Sequence, residues 1–340
     1  MKPGIKDLTR AELEEALVRL GEKPVHAAAA FSALYREGAG SFAGLSGVPA
    51  RLRRRLAEWF SLAPAAAPEV FVSAADGTRK LLFFFEGGAP AESVVLPGKG
   101  RLSACLSSQS GCACGCSFCA TGAMGLVRDL RPSEIVAQYE ACRREAGGPL
   151  SSLVFMGMGE PFLNWENLRK AVLILSDDAG HGFPQSRMTV STVGVVPVIR
   201  ELAGSPLKLR LAVSLVAADE KLRARLVPME ARWPLREVLA AARDYCAARR
   251  AQVFFEYIVF DGVNDSAEDA SRLAGLIKDI PCRLNLIPHN PPGGPGAGVT
   301  REVKAFQKAM IASGVRTYLR LEKGPDISAA CGQLAARGRR

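Results

Sequence analysis

Cys112-Ala113-Cys114-Gly115-Cys116-Ser117-Phe118-Cys119 is the stretch on which the reading of this chain turns. Cys112, Cys116 and Cys119 stand in a C-x3-C-x2-C spacing. A four-iron, four-sulfur cube takes one ligand per iron, so a tight loop of three cysteines leaves one iron open. An open iron can chelate the amino and carboxylate groups of S-adenosylmethionine, and one electron then splits the sulfonium to a 5′-deoxyadenosyl radical. Such chemistry belongs to the cofactor, which the protein positions. The same thiols could hold zinc with a fourth ligand from elsewhere, although no His follows at finger spacing and the chain has only His26, His181 and His289. The nine cysteines are odd in number and mostly scattered, which argues against a disulfide framework. Cys114 reads as a small residue on the outer side of the loop and not as a ligand.

Outward from this loop, short apolar strands alternate with helical stretches. The strands are 153–156, 188–191, 211–214, 253–257 and 284–288; helices are expected over 133–146, 165–176, 234–249 and 267–278. This alternation implies an α/β fold with a parallel sheet, doubly wound or barrel-like. In a βα barrel, ligands sit at the C-terminal ends of the strands. Gly159-Glu160, Ser191, Ser214 and Asn290 all fall there.

Upstream, residues 8 to about 60 read as helices. Thr9 is a candidate N-cap with Glu12 placed for a capping box, and Leu13, Ala16, Leu17 and Leu20 recur at helical spacing until Gly21. Further helices are expected over 25–36 and 49–60. Ala63 to Pro68 reads as a linker. Phe71-Val72 and Leu81 to Phe85 flank Asp76-Gly77, a hairpin signal, and a third strand, Ser93 to Leu96, ends at Pro97.

A chain of 340 residues can bury a large core and two domains. The start of the sequence lacks the apolar core of a signal peptide, and no apolar run is long enough to span a membrane. The expected compartment is the cytoplasm, where thiols stay free for metal or catalysis. A net charge of +10 points to a polyanionic partner, nucleic acid first. Arg51 to Arg55, Arg249-Arg250 and the tail Arg337 to Arg340 are local basic clusters; solvated faces would look the same.

Five motifs, in order, carry a resemblance that covers residues 5 to 335. They are Leu106-Ser107-Ser108-Gln109-Ser110-Gly111-Cys112, Met156-Gly157-Met158-Gly159-Glu160-Pro161, Val190 to Pro197, Asn285-Leu286-Ile287-Pro288-His289-Asn290-Pro291, and Asp326-Ile327-Ser328-Ala329-Ala330-Cys331-Gly332-Gln333-Leu334. With them the chain resembles the radical S-adenosylmethionine (SAM) adenine methyltransferases of the RlmN/Cfr type. The resemblance implies a partial TIM-type barrel of radical SAM class over 99–335, an N-terminal helical RNA-docking domain over 1–62, a linker and β-hairpin extension over 63–98, and a basic tail over 336–340.

It also implies a chemistry. The family methylates C2 (or C8) of an adenine, a carbon too electron-poor to attack a sulfonium. One SAM first methylates a cysteine, matched here by Cys331; a second yields the radical that takes a hydrogen atom from the S-methyl group. The methylene radical adds to the ring, a base matched by Glu92 removes the ring proton, and a second cysteine, matched by Cys105, releases product by forming a disulfide with Cys331. Cys112, Cys116 and Cys119 match the ligands of the [4Fe–4S] cluster. Gly159 and Glu160 match the group that holds the methionyl amine, and Ser191 and Asn290 match ribose or methionine contacts. Ser214 and Val216 complete the cofactor-binding set. The family reads Ser-Leu-His-Ala where this chain has Ser214-Leu215-Val216-Ala217, so Val216 is left an apolar contact only. The implied partners are 23S rRNA, tRNA, and an electron donor of the flavodoxin or ferredoxin kind, acting on a monomer without a membrane. Methylation at C8 and a non-catalytic iron–sulfur RNA-binding module are the alternatives; the latter would need neither Cys105 nor Cys331.

Overall fold

The computed structural model describes residues 2–62, 67–98, 100–292, 294 and 296–335. The linker positions 63–66 and the basic tail 336–340 lie outside the described residues. Helix α1 spans Arg10–Arg19, with Thr9 and Glu12 forming the expected reciprocal capping box, a device that contributes about 1 kcal/mol. It buries Leu13, Ala16 and Leu17, and Gly21 follows at φ 70°. Helix α2 (His26–Phe31) runs into a π-turn over Ser32–Arg36, and α3 spans Ala50–Trp59. Of the basic run on α3, Arg53 donates to Ala43 O and Arg55 pairs with Glu22. That leaves Arg51 and Arg54 as its exposed charges.

This helical segment shares one continuous apolar core with the rest of the chain. Arg10 Nε lies 2.8 Å from Asp177, Lys170 Nζ lies 2.6 Å from Glu12, and Asp7 accepts from Ser133 N–H at 3.0 Å.

Strands β1 (Glu69–Val72), β2 (Arg79–Phe84), β3 (Pro90–Gly98) and β4 (Arg101–Cys105) form an antiparallel meander. Gly77 supplies the positive φ of the β1–β2 turn. The third strand does not stop at Pro97 but continues through it, paired with Leu102 of β4. Pairing with β2 ends at Val95, so the missing N–H of Pro97 costs no ladder bond on that side.

After a two-stranded ribbon, β5 (Gln109–Gly111) with β6 (Leu126–Asp129), the sheet resumes in parallel. Its order is β4, β7 (Ser152–Phe155), β8 (Met188–Thr192), β9 (Arg210–Ser214), β10 (Val253–Val259), β11 (Cys282–Pro288) and β12 (Thr317–Leu319). The short helix α4 (Ala120–Ala123) follows the cysteine loop. The crossover helices are α5 (Pro132–Ala146), α6 (Trp165–Ser176), α7 (Val196–Gly204), α8 (Glu220–Leu226), α9 (Leu235–Arg249), α10 (Ala267–Ile277) and α11 (Arg301–Ala312). Among the described residues the sheet does not close, since β1 and β12 are its two edges, and this is the expected partial-barrel α/β architecture. Alternate strand residues such as Leu153, Phe155, Val190, Leu211, Val213, Phe255 and Leu284 are buried in the core. No helix among the described residues is long and apolar enough to cross a membrane.

Candidate active site

Sheet register decides what meets at the strand ends. Ser214 pairs with Glu256 and Glu256 with Asn285, while Cys105 lies between Val94 on β3 and Val154 on β7. A cavity of about 160 Å³ opens there. Gly159, Glu160, Ser191, Ser214 and Asn290 line it, together with Cys119, Glu256, Arg320 and Cys331. A smaller adjoining cavity is lined by Cys105, Val94, Val154, Arg320 and Cys331. The two thiols that the resemblance pairs therefore face one space, Cys105 buried and Cys331 exposed.

The cluster loop is held by its own backbone. Cys112 N–H donates to Gly125 O at 2.9 Å and Cys119 N–H to Cys116 O at 3.1 Å. Gly111 adopts φ 74°, and a Cβ there would stand 1.9 Å from Gly125 O, so no other residue fits. Burial first, then the neighbouring Cys119 and Cys112, push the Cys116 thiol up to about 12, opposed by Arg223. Cys112 and Cys116 lie in one buried cluster, with Cys119 packed against it. Among the described residues no three His, Cys, Asp or Glu side chains converge on one point as a single ion requires. A cube instead takes each thiolate on a separate iron, and soft thiolates suit it. The donor set thus fits a [4Fe–4S] cluster.

Two expectations change here. Cys114 is not on the outer side of the loop: it is 2% exposed and lies against Cys112, whose Sγ accepts from Cys114 N–H at 3.5 Å. Val216 does not reach the cavity. It is fully buried in an apolar cluster with Cys112, Cys114, Cys116 and Val227, behind the cysteine loop. Its φ of 67° is a strained conformation for a β-branched residue, and Asn264 Nδ2 caps its carbonyl at 3.3 Å.

Glu160 is the carboxylate of the larger cavity. One oxygen accepts from Phe162 N–H at 3.0 Å and the other from Val193 N–H at 2.9 Å. Burial outweighs these bonds and pushes its carboxyl up to about 7. A buried carboxylate, oriented by two amides and open to a cavity, is the partner an ammonium group calls for. The motif around it is explained by what it holds. Gln109 accepts from Glu160 N–H at 2.8 Å, and Gly157 lies so close to Leu106 that a Cβ would meet its carbonyl at 2.8 Å. Ser107 Oγ accepts from Met158 N–H at 2.7 Å, and Gln138 brackets Ser107 through both its N–H and its carbonyl.

The Cys331 segment is assembled from distant parts. Ala120 N–H donates to Gly332 O at 2.8 Å, Thr121 Oγ1 to Leu334 O at 2.6 Å, and Gln333 Nε2 to Gly294 O at 2.9 Å. Asn290 Nδ2 reaches Cys331 O at 3.4 Å. Glu92 is fully buried beneath this segment: Ala335 N–H donates to it at 3.0 Å and Lys80 Nζ lies 3.1 Å away. It lines neither cavity described here.

Sequence reasoning passed over four charged residues. Arg223 is buried with Glu230 and donates to Leu215 O at 2.9 Å and Val193 O at 2.6 Å, tying together the loops behind the cluster. Glu256 and Arg320 pair at 3.5 Å in the cavity wall. None sits in a motif with a readable spacing, although a charged residue at the centre of an apolar strand, Glu256 in Val253–Val259, is itself a signal.

A parallel sheet whose strand ends carry a three-thiol loop beside a buried carboxylate defines a radical SAM protein. Residues 106–274 match the Radical SAM superfamily. The dual-specificity RNA methyltransferase RlmN of Anaeromyxobacter dehalogenans (strain 2CP-C) is 41% identical, over 99% of this chain and 92% of that protein. RlmN of Geotalea uraniireducens (strain Rf4) is also 41% identical, over 99% of this chain and 97% of that protein. The crystal structure of a radical SAM methyltransferase from Sphaerobacter thermophilus superposes with a TM-score of 0.90 at 42% identity, covering 98% of this chain and 100% of that one. The chain belongs to the RlmN family.

Proposed function

We propose that this protein methylates C2 of an adenine in RNA, 23S rRNA first and tRNA second, with Cys331 as the carrier of the carbon. The relatives' name, dual-specificity RNA methyltransferase, supports RNA as the substrate class. The observation that carries the relay is the shared cavity of Cys105 and Cys331, continuous in its lining with that of Glu160, Ser191 and Asn290. A merely iron-binding RNA module has no use for a buried and an exposed thiol opposed in this way.

Cys112, Cys116 and Cys119 would hold the cluster, and Glu160, Gly159, Ser191, Ser214 and Asn290 would hold SAM. When bound, these groups would supply a methyl group in one encounter and a hydrogen-atom acceptor in the next. Cys331 accepts the methyl as a thiolate, the good nucleophile among side chains for that task. It then presents the carbon to the unstacked base. Cys105 breaks the resulting protein–RNA link. Glu92 takes the ring proton once the segment now covering it has opened, with Lys80 as its counterion. The helical segment over 1–62 offers Arg51 and Arg54 to phosphates, and a small one-electron carrier of the flavodoxin or ferredoxin kind feeds the cluster.

Mass spectrometry of nucleoside digests of 23S rRNA and tRNA, from cells with and without the gene, tests this reading. Loss of 2-methyladenosine on deletion is expected. Loss of 8-methyladenosine instead would overturn the regiochemistry, and no change in either would overturn the activity.

A further inference from the structure

Arg320 follows the edge strand β12, and its N–H donates to Leu286 O at 2.9 Å, which fixes it at the C-terminal rim of the sheet. Its guanidinium lines both cavities described above. Glu256 Oε2 lies 3.5 Å from Nη1, Met156 Sδ lies 3.4 Å from the same nitrogen, and the other Glu256 oxygen accepts from Asn285 Nδ2 at 2.8 Å. Arg320 thus places a positive charge, paired with Glu256, on the lining shared by the cavities of Cys105 and Cys331.

That charge answers a need. Cys105 sits among Val94, Val154 and Leu334, and burial together with the neighbouring Cys331 pushes its thiol up to about 12, with Arg320 opposing. A thiol attacks sulfur only as the thiolate. We infer that Arg320, held by Glu256, is the positioning residue that stabilises the Cys105 thiolate while it resolves the protein–RNA adduct. The inference rests on the relay reading above. In the step concerned, the Cys105 sulfur donates an electron pair to the Cys331 sulfur and a disulfide bond forms. The bond from Cys331 sulfur to the adduct carbon breaks with its pair on carbon, which a proton converts to the methyl group. The two sulfurs lose two electrons and the carbon gains them; a dithiol reductant then reopens the disulfide.

Other titratable groups face the same thiol. Cys142 of α5 lies within range of Cys105. Glu322 and Lys323 follow Arg320 along the smaller cavity. Across the larger one stand Cys119, Glu160 and His289. Lys323 lines only the smaller cavity and is paired with Asp76 at 3.5 Å. Among the described residues Arg320 is the cation that lines both cavities, together with its acid in the larger one.

The test is the pH dependence of Cys105 alkylation by iodoacetamide, read peptide by peptide by mass spectrometry. It uses anaerobic, cluster-loaded enzyme in a Cys331→Ser background. Arg320→Gln is expected to raise the midpoint by about one unit or more, so that the rate at a fixed pH below it falls roughly tenfold. Arg320→Lys should keep most of the effect. Glu256→Gln frees the guanidinium from its counterion and should move the midpoint down. Opposite shifts are not produced by a loss of packing. Superimposable profiles in wild type and Arg320→Gln, or shifts of the same sign in Arg320→Gln and Glu256→Gln, would overturn the inference. Weakened RNA binding in Arg320→Gln with an unmoved profile would also overturn it and assign the charge to a phosphate. If the profiles shift as expected but Cys105→Ala turns over normally, the relay reading fails and the electrostatic pairing stands.

Discussion

Two loops meet at the cavity, and they are built in different ways. The cluster loop, 111–125, closes largely on itself: Cys112 bonds Gly125, Cys119 bonds Cys116, Ala123 bonds Cys119, and glycines fill the places where a side chain would collide. The Cys331 segment, 324–335, takes most of its bonds from elsewhere. Asp76 accepts from Gly324 N–H at 3.3 Å, Asp326 is held by Ser73 and Ala74, and Gly332, Leu334 and Ala335 are bonded by Ala120, Thr121 and Glu92. A loop made from local contacts forms wherever its sequence goes. A segment made from distant contacts forms only when hairpin, barrel and cluster loop are all in place. The first suits a fixed metal scaffold, and the second suits the part that the proposed relay gives to Cys331.

The largest effect that sharpens this contrast is loss of the cluster. Anaerobic reconstitution of Cys116→Ala should yield no stable [4Fe–4S] cluster by iron count and absorbance, whereas Cys331→Ala should retain it in full. Cys114→Ala should retain iron but lose the thiol that packs on Cys112, giving faster loss in air. Iron lost in Cys114→Ala and kept in Cys116→Ala would contradict the ligand assignment.

A smaller effect is expected at Glu160, where the two loops face the same cofactor. Removing the charge in Glu160→Gln should weaken SAM binding by about 1.5–3 kcal/mol, roughly 10- to 100-fold. Titration calorimetry on cluster-loaded protein measures it, and equal affinity would remove Glu160 from the site.

The smallest effect lies in the hairpin that pins the Cys331 segment. Partial burial alone would raise the Asp76 carboxyl, yet the neighbouring Thr78 hydroxyl, bonds from Thr78 N–H and Gly324 N–H, and Lys323 nearby hold it down at about 2. Because the folded value lies below the unfolded one, its contribution is present above the ordinary carboxylate range and fades as pH falls toward 2. Half-screened by solvent, it amounts to about 1 kcal/mol at neutral pH. Asp76→Asn should therefore speed amide exchange across 324–335 several-fold at pH 7, leaving 111–125 unchanged. Equal acceleration in both loops would break the contrast.

The same contrast explains what could be read in the sequence. The cap at Thr9 and Glu12, the helix over 165–176 and the central strands carry local signals, and the structure has them within a residue or two. Strand β4 went unassigned because Arg101-Leu102-Ser103-Ala104-Cys105 is poor in β-branched and aromatic residues and gains its state from neighbours on both sides. Pro97 misled because a proline ends a strand only where both edges are paired. In the site, contiguous motifs pointed to Glu160, Ser191, Ser214 and Asn290. Arg320 and Glu256 are 64 residues apart and meet only through the register of β10, β11 and β12. Val216 enters the cofactor set only because it stands where the resembled family has the His of Ser-Leu-His-Ala. Its backbone instead turns to positive φ and buries the side chain behind the thiols, which no pattern of residues announces.

The relay from Cys331 to Cys105 is the central claim, and one gel tests it most directly. Cluster-loaded Cys105→Ala is incubated with labelled RNA, SAM and an electron donor, then run under denaturing conditions. A shifted protein–RNA band that survives denaturation is predicted for Cys105→Ala and none for Cys331→Ala. Normal turnover of Cys105→Ala without a shifted band would contradict the account.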